Sequence, residues 1–100
     1  MTPPIDVAAA RFRVGTWNVQ FGRGVDKNRL RLDVLTERDA DVWVLTETHD
    51  DLALPYPYQS IHTEQRYRTN NGGRWTSIWT RFPIIERIDT IDPSRTVCAR

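Results

Sequence analysis

Two apolar stretches of this chain end in oxygen-bearing side chains, and those two groups are where its chemistry is expected. Phe12-Arg13-Val14-Gly15-Thr16-Trp17-Asn18-Val19 brings up Asn18, and Asp41-Val42-Trp43-Val44-Leu45-Thr46-Glu47 brings up Glu47. A carboxylate and an amide oxygen are hard ligands that suit magnesium or manganese. Magnesium keeps several waters and takes one or two carboxylates together with substrate phosphate oxygens, so one glutamate supplies only part of a site. The same pair also reads as a solvated strand end and a turn residue, and pattern alone leaves that alternative open.

The elements that must position this pair follow from local pattern. The first stretch is rich in β-branched and aromatic residues and predicts a strand. Gln20 to Lys27 forms a loop punctuated by Gly22 and Gly24. Asp26 or Asn28 is placed to cap a helix running to about Arg38, with Leu30, Leu32, Val34 and Leu35 spread over a broad apolar face. The second stretch is nearly continuous in apolar residues, as befits a strand of a parallel sheet covered on both faces. Strand, helix and strand make a βαβ unit with a right-handed crossover. Ligands of open α/β sheets bind outside the carboxyl ends of the strands, so Asn18 and Glu47 are expected to face one crevice. Beyond Pro57 the pattern changes. Tyr58 to Glu64, Arg74 to Thr80 and Ile84 to Ile91 read as short strands, and Thr96 to Arg100 as a strand just starting. They predict an antiparallel meander appended to the βαβ unit, in the α/β class. Residues 1–10 carry two prolines and no strand or helix pattern, and are expected to be a disordered tail before a domain over residues 11–100.

Composition bounds the function. At 100 residues and 11.7 kDa there is room for a single modest domain. Ten per cent of the residues are aromatic, four of them Trp, which argues against disorder throughout. Fourteen basic against 13 acidic residues leave a net charge of +1, so bulk charge favours no nucleic-acid or membrane partner. All the cations but Lys27 are arginine. Cys98 is a single cysteine, which excludes an internal disulfide, and no Cys/His spacing suits zinc. A reducing cytoplasm is therefore the expected compartment. The N-terminus lacks the pattern of a signal peptide, and no stretch approaches the roughly 18 apolar residues of a membrane span.

Arg13 to Val19, followed by Asp39-Ala40-Asp41-Val42-Trp43-Val44-Leu45-Thr46-Glu47-Thr48, resembles the opening of the endonuclease/exonuclease/phosphatase superfamily. Its members open with a strand ending Trp-Asn-apolar, then a helix, then an Asp-apolar strand ending in Glu. Ser77-Ile78-Trp79-Thr80-Arg81-Phe82-Pro83-Ile84 is similar to a later strand and turn of that family, with Thr80 where Ser is usual. The resemblance spans about residues 12–100 and implies a magnesium-dependent phosphoesterase. It implies Glu47 as the metal ligand and Asn18 as the residue that positions the metal, the phosphate or the attacking water. It implies a phosphate-ester substrate, whether nucleic acid, phospholipid or inositol phosphate. Gln20 stands where some relatives carry an acidic residue near the metal.

The family's Asp-x-Asn pair, further aspartate and Ser-Asp-His ending do not follow Thr48. The resemblance therefore covers the N-terminal half of a two-sheet α/β/β/α sandwich, with the second sheet missing. It implies weak metal binding and no turnover by this chain alone. The alternative is a non-catalytic fragment or partner-dependent interaction protein. An uncovered sheet face would expose Trp17, Trp43, Trp75 or Trp79 and invite a second copy or a partner, whereas against base stacking the four read as core residues.

Neither His49 nor His62 has the family's histidine context; the first reads as a loop imidazole and the second as a strand residue. Arg66, Arg68 and Arg74 flank Asn70-Asn71-Gly72-Gly73, and either solvate a surface or touch phosphate in a small nucleic-acid-binding module. Arg81 beside Phe82 is a further cleft candidate. Gly22-Arg23-Gly24 lacks the spacing of a phosphate-binding loop.

Overall fold

The computed structural model describes residues 11–66 and 71–100, so the expected tail and Arg68 lie outside the described residues. The β-rich opening forms β1 (Val14–Asn18), and the apolar run forms β2 (Val42–His49), parallel to it. Between them lies α1 (Val25–Arg38). β3 (Gln59–His62) and β4 (Gly73–Thr80) are antiparallel to each other, and β4 is antiparallel to β2. The sheet order is β1-β2-β4-β3, so the last long strand inserts between β2 and β3 and the expected meander order is not followed. Among the described residues this gives one mixed four-stranded sheet, one helix and a small second sheet of β5 (Arg87–Ile88) with β6 (Cys98–Ala99).

Three further expectations change here. The strand predicted over Ile84 to Ile91 contracts to β5, and the C-terminal start of a strand becomes its partner β6. A second sheet is therefore present, though it has only two short strands. The helix is capped by neither Asp26 nor Asn28. Gly24 holds the N-cap position at φ 102°, and its carbonyl accepts the Asn28 N–H at 2.9 Å. Asn28 lies inside the helix and turns its side chain to another task. At the other end Asp39 is left-handed, with its N–H donating to the Leu35 carbonyl at 3.1 Å.

The tryptophans are the third correction. Trp43 and Trp79 are register partners, and both are buried in the core with Val19, Leu35, Leu45, Leu52 and Leu54. Trp17 packs partly buried against that cluster, and the Trp43 ring lies over Gly15, where a Cβ would come within 2.3 Å of it. Trp75 is half-buried, with the Arg66 and Arg95 guanidinium groups against its ring. The reason is parity. Residues 15, 17, 43, 45, 77 and 79 share one face through the strand register, and Leu35 of α1 joins the same core. The opposite face carries Val14, Thr16 and Asn18, all exposed, beside half-buried Val42, Val44 and Ile78. Of the apolar side chains on this face Val14 is exposed, while Ile61, opposite Ile78, is buried. Among the described residues, no helix is long and apolar enough to cross a membrane.

Candidate functional site

β1 and β2 run in parallel, so their carboxyl ends meet at one edge, and the backbone there is unusual. Val19 N–H donates to the Thr46 carbonyl at 3.0 Å, and Phe21 N–H reaches the Glu47 carbonyl. Asn18 and Glu47 are therefore on adjacent strands, one step out of register, because Asn18 is opposite Thr46. Gln20, Phe21 and Gly22 follow with φ of 51°, 79° and 54°, a run of left-handed residues that curls the chain over the sheet edge. Glu47 itself has φ 48° within β2. A non-glycine residue in that region is uncommon, and such conformations persist only where surrounding structure holds them.

The two predicted site residues sit differently. Asn18 is exposed, and its Oδ1 accepts the Gln20 N–H at 3.0 Å, the turn role that the sequence left open for it. The second lone pair of that oxygen is not used by this bond. Glu47 is half-buried, and its carboxylate has no hydrogen-bond or ion-pair partner among the described residues. Among the described residues no group of three or more His, Cys, Asp or Glu could hold a metal ion. The donors expected at this edge are the Glu47 carboxylate and the Asn18 amide oxygen. That donor set is hard and fits magnesium chemically, but one carboxylate makes it weak.

Beside this edge is a cavity of about 370 Å³. Arg23, Lys27, Arg31 and Arg66 line it, together with the Gln20 and Asn71 amides, the Phe21 ring and His49. Asn18 and Glu47 are not among its lining residues; each stands two residues before one that is, Gln20 and His49 respectively. Asn28, buried in α1, organises the cationic wall. Its Nδ2 donates to the Gly22 carbonyl at 2.9 Å, while its Oδ1 accepts from Arg31 at 2.7 Å. Across the cavity the Arg66 guanidinium lies 4.3 Å from the Phe21 ring centroid and 4.6 Å from that of Trp75.

The remaining candidates have structural work. His49 Nε2–H donates to the Asn71 carbonyl and its Nδ1 accepts the Asp51 N–H at 3.0 Å, so the ring fastens two loops to the end of β2. The His62 ring joins the Ser77 hydroxyl at 2.6 Å and the Ser60 hydroxyl at 3.0 Å, edge-on to Trp79. Burial holds its pKa below the usual histidine value, with Asp50 pulling the other way. Arg74 is bidentate to Asp50 at 3.0 Å on both bonds and donates to the Thr63 carbonyl. It therefore leaves the arginine set proposed for phosphate contact, while Arg66 stays. Arg81 pairs with Asp39 and Asp41 at the amino end of β2, away from the crevice.

The cationic wall was not foreseen. Its signal was Arg23, Lys27 and Arg31 at four-residue spacing, which follows one side of a helical path extended back into the loop. Comparison with protein-family models, with curated proteins and with solved structures finds no match to this chain.

Proposed function

We propose that Asn18 and Glu47 form the cation-holding edge of a magnesium-dependent phosphoesterase centre of the endonuclease/exonuclease/phosphatase kind. The observation that carries this reading is Glu47: a carboxylate without a partner among the described residues, on a left-handed residue inside a strand, near the carboxyl end of a parallel pair. An observed backbone outlier of this type points toward function. Magnesium bound there would polarise a phosphoryl oxygen. The chain's own contribution is to present the Glu47 carboxylate and the free lone pair of Asn18, and to offer the adjoining arginines to ester phosphate oxygens. His49 and His62 are both held in structural hydrogen bonds, so neither acts as the base in this reading.

Manganese in place of magnesium makes the test direct. Added Mn²⁺ should broaden the NMR amide signals of Asn18 through Gln20 and Thr46 through Thr48 first, at weak affinity, and Glu47→Gln should abolish the effect. Broadening centred on Asp39 and Asp41, or on Asp50 and Asp51, would refute the assignment.

A second reading is favoured by the sheet face that carries Val14, Val42, Val44 and Ile78. Val14 is 65% exposed there, and a second copy or partner seated beside it would cover it and the half-buried valines.

A further inference from the structure

The cavity beside the sheet edge gathers four cationic side chains. Arg23 comes from the β1–α1 loop, Lys27 and Arg31 from α1, and Arg66 from the segment after β3. No Asp or Glu is among the described residues that line it. Arg23, Lys27 and Arg31 form no ion pair with a carboxylate among the described residues, whereas Arg74 and Arg100 each have one and Arg81 has two. Like charges held in one concave site repel each other and focus a positive potential into it.

The wall is built before any ligand arrives. Asn28 is only 4% exposed, and its amide ties the Gly22 carbonyl to the Arg31 guanidinium. Arg31 also reaches the Arg23 carbonyl at 3.4 Å. Uncharged contacts position the Arg31 guanidinium, leaving its charge available. Arginine forks suit phosphate oxygens in bidentate geometry. The volume, about 370 Å³, lies in the range of cavities that enclose small organic ligands. The Phe21 ring, half exposed on this wall, offers an apolar surface beside the charges.

We infer that this cavity binds a small phosphorylated organic anion, its phosphates on Arg23, Lys27, Arg31 and Arg66 and its ring against Phe21. This goes beyond the metal reading, because it requires neither a divalent ion nor Glu47.

Calorimetric titration in EDTA with adenosine diphosphate, inorganic pyrophosphate and a single-stranded oligonucleotide tests it. The diphosphate nucleotide should bind at low salt, more tightly than pyrophosphate, and lose affinity as salt rises. Arg23→Gln and Lys27→Gln should each weaken it roughly tenfold, the scale of one charge-assisted hydrogen bond. Both positions are exposed, so their unfolding midpoints should stay at the parent value. Glu47→Gln should bind the nucleotide as the parent does, which separates this result from failure of the metal site. Absence of nucleotide binding, binding indifferent to both charge variants, or loss of binding in Glu47→Gln would overturn the inference. So would equal affinity for nucleotide and pyrophosphate, or binding of the oligonucleotide alone.

Discussion

Gly22 supports the curled loop at the sheet edge, and replacing it measures how tightly that edge is held. Alanine there would have to adopt φ near 54°, which costs roughly 1–2 kcal/mol for a residue with a side chain. Its Cβ would also stand 2.9 Å from the His49 nitrogen and 3.0 Å from the Thr48 Cα. Both are main-chain atoms of β2, so relief requires moving packed backbone, at about 1–3 kcal/mol. Together Gly22→Ala should destabilise by about 2–5 kcal/mol, a large share of the total for a domain of this size. Gly24 separates the two contributions. At φ 102° it carries a conformational cost of its own, yet a Cβ there meets nothing within 4 Å. Urea unfolding followed by tryptophan fluorescence should therefore show Gly22→Ala to be the more damaging, with an unchanged m-value. Displacing the Gly22 carbonyl also strains its bond from Asn28, so nucleotide binding in the cavity should fall in Gly22→Ala and persist in Gly24→Ala. If Gly22→Ala proved no worse than Gly24→Ala, the close approach of this loop to β2 would be wrong.

Acid should reach the fold first through His62. Burial lowers its folded pKa, so the unfolded chain takes up a proton near pH 6.5 while the native ring stays neutral, and stability falls as pH drops through that value. The lowered carboxylates Asp39, Asp50 and Asp92 start from 3.8 and act only in stronger acid. Urea midpoints should decline between neutral and mildly acidic pH, and His62→Gln should flatten that decline; a rise on acidification would contradict the burial argument. On the uncovered sheet face, sedimentation should reveal association that grows with concentration and disappears in Val14→Lys. A monomer at every concentration would remove the second-copy reading.

Local pattern located the elements near the crevice because each depends on short-range physics. The β-branched run through Trp17 and the apolar run through Leu45 became β1 and β2, and Gly22 and Gly24 marked the loop between β1 and α1. Cap identity was less legible. Asn28 has the chemistry of a cap, but its buried amide bonds the preceding loop instead, a choice made by the Gly22 carbonyl and Arg31. The neighbouring ends of β1 and β2 follow from parallel pairing, and the chain order strand-helix-strand already implied that pairing.

What the amino-acid order determined alone was the βαβ opening, the two oxygen-bearing residues near the carboxyl ends of its strands and the near-neutral charge balance. Tertiary structure decided the rest, because it brings together residues far apart in the chain. Inserting β4 beside β2 paired Trp79 with Trp43 and sent the tryptophans into the core rather than onto an open face. The same folding drew Arg74 to Asp50 while bringing Arg66 across to Phe21, 45 positions away, so neighbouring arginines acquired unlike tasks. Glu47's left-handed backbone belongs to this second class as well. A side chain's type is written locally, but its burial, partner and backbone strain are set by whatever long-range pairing places against it.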